Sequence, residues 1–297
     1  MIVNQVNLDA AFTGFKTLYA KGIARAKPTY EAVATVVPST TEKEVYPWLG
    51  QTTKFREWLG DRALQGLGTH GFTIVNKHFE DSVAINRDKF EDDSYGIFAP
   101  VIEQLGQDAA IHPDQLVWNL CKSGISSLCY DGQYFFDTDH PGFDQGGAGT
   151  VVANVDSGGS SAYWYLFDTS RVVKPFIFQK RKEYNFVPLN KDGDPNVFMR
   201  NEFIYGVDAR VNAGYGLWQL GYASNQALTA ASYQAARAAM GTIRLENGDV
   251  MDVTPNLLVV SSANEGAART LLHAEIIANT TNVWQNSADL LVVPRLG

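Results

Sequence analysis

The sequence is short of the features that mark secreted scaffolds, membrane proteins and most metal enzymes. Among 297 residues there are two cysteines, Cys121 and Cys129, with no second pair. That excludes a disulfide framework and a zinc site built from cysteine pairs, and the two are read as buried thiols. Long apolar runs are also missing. The stretches Leu257 to Val260 and Leu290 to Val293 fall far short of the roughly 20 residues a membrane-spanning helix needs. The first residues carry Asn4 and Asp9 where a secretory leader has a basic flank and an apolar core, so no signal peptide is expected. Positive charge is in deficit, with 24 Lys and Arg against 32 Asp and Glu, a net charge of −8 and a pI near 5.1. Such a field repels nucleic acid and argues against a DNA-reading role. Short basic spots at Lys180-Arg181-Lys182 and Arg25-Ala26-Lys27 read as solvated surface. There is no internal repeat and no low-complexity segment.

What is present suits a globular chain with a real core, since 45% of residues are hydrophobic and 19% charged. Leu8, Phe12, Phe15 and Leu18 follow helical spacing and predict a helix over 8–22. Residues 26–48, with Pro28, Pro38 and Pro47, lose periodicity and read as an extended arm that leans on something else. Alternation at Phe72/Ile74 and at Phe79, Val83 and Ile85 predicts two strands of a long projecting hairpin. From 94 to 123 the pattern is helical around Pro113, which predicts one bent helix or two joined end to end. Residues 128–160 read as loop, and 162–221 as strand-rich, broken by the turn Lys191-Asp192-Gly193-Asp194-Pro195. After Gly221, Thr229 caps a helix reaching about Met240, Asn247-Gly248 makes a turn, and Asn256 to Val260 is a buried strand. Ser262-Ala263-Asn264-Glu265 reads as a capping box for a helix to about Ile277, before a last strand from Ala288 to Pro294.

Candidate chemistry is thin. Asp156-Ser157-Gly158-Gly159 resembles a protease nucleophile loop, but Val155 stands where glycine usually precedes the aspartate, and a linker is the better reading. Asp131, Asp137, Asp139, His140 and Asp144 lack the register of a calcium loop and read as turn-forming acids, with His140 ordering the loop by hydrogen bonding. Gly214-Tyr215-Gly216 lacks the rest of a dinucleotide fingerprint, and no Walker-type motif exists. His70, His78, His112 and His273 are scattered without i, i+4 pairing. Glu80-Asp81 and Glu91-Asp92-Asp93 read as a solvated face. No catalytic, cofactor-binding or metal residue is expected, and no enzyme.

Several long stretches carry a family resemblance. Gly71-Phe72-Thr73-Ile74-Val75-Asn76-Lys77-His78-Phe79-Glu80, Val83-Ala84-Ile85-Asn86-Arg87-Asp88 and Glu91-Asp92-Asp93 with Tyr95-Gly96 come first. Cys129-Tyr130-Asp131-Gly132-Gln133 and Phe135-Phe136-Asp137-Thr138-Asp139-His140-Pro141 follow. Trp164 to Arg171, Lys174 to Gln179, Phe203 to Arg210, Thr254 to Val260 and Pro294-Arg295-Leu296 complete the set. Together they resemble Mu-like phage major head subunits over nearly the whole chain. The resemblance implies an α+β, Hong Kong 97-type capsid fold, a virion location with assembly in the host cytoplasm, and no cofactor. It implies an N-terminal arm over 1–45, an extended-loop hairpin region over 46–95, a peripheral domain with spine helix over 96–225 and an axial domain over 226–297. The expected partners are the chain itself in pentamers and hexamers, a separate scaffolding protein, a portal and a decoration protein. Packaged DNA is expected to touch weakly, and a membrane not at all. Trp48, Phe55, Trp58 and Phe79 are the expected intersubunit anchors, because aromatics concentrate binding energy in desolvated interface centres. Rival readings are a cellular nanocompartment shell, a serine hydrolase acting through Ser157, and a tail or decoration protein.

Overall fold

The computed structural model describes residues 5–46, 49, 71–92, 97–277 and 279–297. The first helix, α1 (Gln5–Arg25), extends the predicted one at both ends, and Leu8, Phe12, Phe15, Tyr19 and Gly22 turn one face inward at alternating steps of four and three. A one-turn helix, Tyr30–Ala32, then leads into β1 (Ala34–Pro38) and β2 (Lys43–Tyr46). This arm has more order than its lost periodicity suggested, and the reason is long-range partnering. The Asp114 carboxylate accepts from the backbone N–H groups of Thr29 and Tyr30 at 2.8 and 2.7 Å, and the Trp118 indole donates to Thr29 Oγ1 at 2.9 Å.

Next come β3 (Phe72–Val75) and β4 (Lys77–Asn86). They are not the two strands of one hairpin, as alternation alone suggested. Only Asn76 separates them: β3 pairs antiparallel with β2, Tyr46 opposite Phe72, and β4 departs to another sheet. The hairpin arms are therefore β2 and β3, with residues 47–70 between them. Buried Asn76 pins this divergence by donating from its side chain to Ser39 Oγ and the Thr41 carbonyl, both at 2.9 Å.

After α2 (Arg87–Asp92), the long helix α3 (Ala99–Ser123) runs as one element with Pro113 inside it. Ile102, Leu105, Ala109, Pro113, Val117 and Cys121 line its buried face, so packing outweighs the one backbone donor that proline lacks. The loop expected over 128–160 holds a small hairpin, β5 (His140–Phe143) with β6 (Gly149–Val152), and the short β7 (Val155–Asp156). The strand-rich region follows as expected, with β8 (Trp164–Phe167), β9 (Phe176–Leu189), β10 (Glu202–Tyr215) and β11 (Gly221–Ser224). A short helix, α4 (Pro195–Arg200), sits between β9 and β10 just after the predicted turn.

The last part contains α5 (Ala230–Gly241), β12 (Leu257–Val260), α6 (Glu265–His273), the two-residue strands β13 (Ile276–Ile277) and β14 (Thr280–Thr281), and β15 (Asp289–Val292). Thr229 and Ser232 form the cap of α5, each side chain bonding the other's backbone N–H at 3.2 and 2.9 Å. Gly248, at φ +80°, makes the turn expected at Asn247-Gly248. The box predicted at Ser262 and Glu265 is not formed, because Glu265 pairs with Arg269 at 2.7 Å and a one-turn helix precedes α6. That helix stops at His273, where the Asn282 side chain donates to the carbonyls of Leu271 and Ala274 at 2.7 and 2.8 Å.

Two sheets organise these elements. One has strand order β1-β9-β10-β4, with β1 parallel to β9 and the other pairs antiparallel. The other has order β15-β12-β8-β11-β7. The second sheet crosses the boundary expected at residue 225: β7, β8 and β11 lie before it in sequence, β12 and β15 after it. Sequence style changes at 225, but β8 needs partners on both edges, β11 on one and β12 on the other, so the layer takes strands from both segments. Two hydrophobic clusters result. The larger lies around the five-stranded sheet and the near end of the four-stranded one; the smaller lies where α1, the first half of α3 and the far ends of β9 and β10 meet.

Candidate assembly interface

Of the four expected anchors, Trp48, Phe55 and Trp58 lie outside the described residues. Phe79 is on β4 and half-buried, with its ring centroid 4.4 Å from that of His112 on α3. His112 Nδ1 meets the Tyr184 hydroxyl at 2.6 Å, and burial pushes the His112 pKa down, favouring the neutral ring. Phe79 thus joins sheet to helix within the subunit. Beside it, Asp81, Val83, Val101, Leu105 and Asp108 line a groove of about 320 Å³ along β4 and α3. The outer edge of β4 has no paired strand among the described residues, so its backbone groups lie along the lip of the groove.

The base of the β2–β3 hairpin is held by polar chemistry. Glu44 Oε1 accepts from the Thr40 and Thr41 backbone N–H groups at 3.0 and 3.1 Å and from Ser39 Oγ at 2.9 Å. Those hydrogen bonds, led by the one from Thr40, lower the Glu44 pKa to about 2. On the other side, the Tyr46 hydroxyl donates to Gln179 Oε1 at 2.8 Å, and buried Gln179 donates to the Ile74 carbonyl at 3.2 Å. Residues 47–70 therefore leave from and return to a fixed mount.

The segments that suggested chemistry are tied into the fold by hydrogen bonds and close packing. Asp156 Oδ1 accepts from Gly158 N and Gln226 Nε2 at 3.2 and 3.1 Å, and a Cβ on Gly159 would stand 2.2 Å from the Asn225 carbonyl oxygen. The Ser157 loop is packed against the segment after β11. Asp144 and Asp137 accept backbone N–H groups of their own turns. Cys129, Asp131 and His140 bring potential metal-ligand atoms within 4.8 Å of one another. They bond one another directly: the Cys129 thiol donates to Asp131 Oδ1 at 3.0 Å, and His140 Nδ1 to Asp131 Oδ2 at 2.8 Å, while His140 Nε2 is buried without a hydrogen-bond partner. Burial pushes the Cys129 thiol pKa up, so it stays a donor. Burial also works against Asp131, but hydrogen bonds from His140 and Cys129 win and hold its carboxyl below the usual value. The His140 ring stacks on Trp218 with centroids 4.0 Å apart. This arrangement orders residues 129–140, the role read for His140 from sequence.

Two features escaped sequence reasoning. Helices α1 and α3 cross at paired glycines: a Cβ on Gly22 would stand 2.0 Å from the Glu103 carbonyl oxygen, and one on Gly106 would stand 2.2 Å from that of Tyr19. Glu103 adds ion pairs to Lys21 at 3.3 Å and Arg25 at 2.6 Å. The signal was there in Gly22 and Gly106, but nothing in one sequence says that they meet. The second feature is α4, which exposes Phe198 and Met199; it lies inside a run read as turn and strand.

No described helix is long and apolar enough to cross a membrane. The model of the Mu-like prophage major head subunit gpT family matches residues 8–296. The Mu-like prophage FluMu major head subunit of Haemophilus influenzae is 40% identical over 277 residues, covering 91% of this chain and 90% of that protein. The major capsid protein of Escherichia phage Mu is 38% identical over 305 residues, covering 100% of both. A chain of the procapsid of bacteriophage JBD30 is 38% identical, with a TM-score of 0.87 over 99% of this chain and 100% of that one. The two sheets and the long α3 are thus those of a Hong Kong 97-type capsid subunit. The chain is a structural component of a virion shell and not an enzyme. Match over nearly its full length, in sequence and in fold, means that the chain belongs to the family of the Mu-like prophage major head subunit gpT.

Proposed function

We propose that copies of the chain form pentamers and hexamers that close into an icosahedral head around double-stranded DNA, and that residues 47–70 of each copy lie on a neighbour. The observation that carries this is the rigid β2–β3 mount. It uses buried polar residues, Asn76 and Gln179, to fix where residues 47–70 begin and end. Trp48, Phe55 and Trp58 in that segment are the anchors, with Phe79 at the receiving surface. The groove along β4 and α3 supplies an apolar floor, and the β4 edge, which has no paired strand among the described residues, a backbone ladder, a combination suited to strand addition.

The subunit divides by sheet, with a peripheral unit around β1-β9-β10-β4 and an axial unit around β15-β12-β8-β11-β7. A scaffolding protein, a portal and a decoration protein are its partners, and assembly takes place in the host cytoplasm. A net charge of −8 keeps contact with packaged DNA weak. Trp58→Ala is the direct test, read by sedimentation and negative-stain imaging after expression with and without the neighbouring phage genes. Loss of closed shells with a folded subunit is expected. Unchanged shell yield would remove residues 47–70 from the interface.

A further inference from the structure

In the sequence, Asp131 and His140 lack a calcium register and Cys129 lacks a second cysteine pair, but the fold makes one donor set of the three. Cys129 and His140 are 6% and 0% exposed, and the Asp131 side chain is 8% exposed. Two separate pieces of backbone hold them. Cys129 and Asp131 belong to a turn in which the Gly132 N–H donates to the Cys129 carbonyl at 3.2 Å, with Gly132 at φ +87°. The Cys129 N–H donates in turn to the Gln133 carbonyl at 2.8 Å. His140 opens β5, and its ring lies flat on Trp218. Its Nδ1 faces Asp131, whereas Nε2 has no hydrogen-bond partner among the described residues. The imidazole therefore has one nitrogen placed to bind, and that nitrogen points into the cluster.

The chemistry of the set selects its ligand. A thiolate and an imidazole favour zinc and its neighbours among the divalent ions, and disfavour calcium and magnesium, which take oxygen. Charge points the same way: thiolate and carboxylate together balance one divalent cation, so the buried group ends neutral. The spacing is close to what an ion needs. Zinc bonds of about 2.0–2.3 Å set neighbouring ligand atoms roughly 3–4 Å apart. Here the thiol and the imidazole stand 3.0 and 2.8 Å from the two Asp131 oxygens, and the whole set lies within 4.8 Å. On binding, the thiol loses its proton to solvent and the imidazole proton moves from Nδ1 to Nε2. Nε2 has no partner in either tautomer, so the transfer breaks no hydrogen bond at that nitrogen. The Gln133 N–H, which donates to Asp131 Oδ1 at 3.1 Å, keeps the carboxylate oriented from behind. Gly132 and Asp139 are exposed, so the set lies just below the surface and an ion has a short way in.

We propose that Cys129 Sγ, an Asp131 carboxylate oxygen and His140 Nδ1 bind one zinc-class divalent cation, with water completing the coordination, and that the ion staples the turn after α3 to the start of β5. Assembled shells of the full chain, stripped with a chelator and titrated with Co2+ as a spectroscopic probe, test it. One equivalent per subunit is expected, with a thiolate-to-cobalt charge-transfer band in the near ultraviolet and the strong visible bands of a tetrahedral site. Excess Zn2+ should erase both. Cys129→Ser should remove the charge-transfer band, and Asp131→Asn, which keeps the shape of the side chain, should weaken cobalt binding by roughly tenfold or more. Far-ultraviolet dichroism checks that each variant is folded; if Cys129→Ser does not fold, the wild-type titration and Asp131→Asn decide. The proposal is overturned if the wild type takes up no Co2+, or takes it up without the charge-transfer band, which is adventitious surface binding. It is also overturned if folded Cys129→Ser keeps the band, which would assign it to Cys121, or if Asp131→Asn binds as tightly as the wild type. None of these results bears on shell closure, which negative-stain imaging of the same samples records separately.

Discussion

The two hydrophobic clusters are built on different principles. The larger one encloses Trp118, Trp164, Trp218, Phe135 and Phe167 at no more than 2% exposure, and its strands β8 and β12 are buried at every residue. Dense burial of this kind fixes a fold by itself. The smaller cluster depends on stacked rings and one close helix crossing: Phe12 and Tyr19 of α1 lie on Phe186 at 5.6 and 4.9 Å, and Phe15 meets Tyr205 edge-on at 4.9 Å. It holds the parts that reach outward, α1, α2 and the α4 corner. Cooperative folding is thus concentrated in one region and the placement of peripheral parts in the other.

Trp164→Ala should show the largest effect. It removes a fully buried indole and its hydrogen bond to the Gln226 carbonyl, for a loss of about 4 kcal/mol. Urea titration followed by tryptophan fluorescence and by far-ultraviolet dichroism should report the same lowered midpoint, since the whole subunit depends on this core. Gly106→Ala should cost less, about 2 kcal/mol, by forcing α1 off α3. Limited proteolysis should then cut before residue 26 early, while the remaining fragment resists as in the wild type. Simultaneous loss of both regions would show that the two clusters are one cooperative unit and dissolve the distinction.

The smallest effect concerns the exposed polar contacts of the hairpin mount, whose Tyr46 and Ile74 belong to the larger cluster. The Glu44 pKa is depressed in the folded chain, to about 2 from 4.5, so its stabilisation is full above 4.5 and is lost as pH falls toward 2. Glu44→Gln should weaken the wild-type advantage at neutral pH and reduce the loss between 4.5 and 2. Denaturation midpoints of both proteins at neutral pH and at about pH 3 decide the matter. Parallel loss in the two would show that this carboxylate does not hold the mount.

Periodic elements were legible in the sequence because their side chains report local burial. The face of α1, the run of α3, the cap at Thr229 and the continuous apolar strand Leu257 to Val260 all follow from neighbours within a turn or two. Pairing was less legible. The partner of β3 is β2, across residues 47–70, and the partner of β4 is β10, more than a hundred residues on; alternation gives a strand its faces but leaves its edges unassigned. The same limit hid the sheet that crosses residue 225 and the order of the arm, whose Thr29 and Tyr30 are capped by Asp114. Anchor residues were expected from aromatic side chains, which led to Trp48, Phe55, Trp58 and Phe79, while α4 with its exposed Phe198 and Met199 lay in a run read as turn and strand.

The parallel pairing of β15 with β12 also governs when the subunit becomes competent. Val260 and Leu258 are edge residues of an unfinished layer until Leu290 and Val292 arrive beside them. During synthesis, β12 therefore keeps one open edge until β15 has emerged. The layer thus acts as a check on completeness, closing only when residues 289–292 are in place.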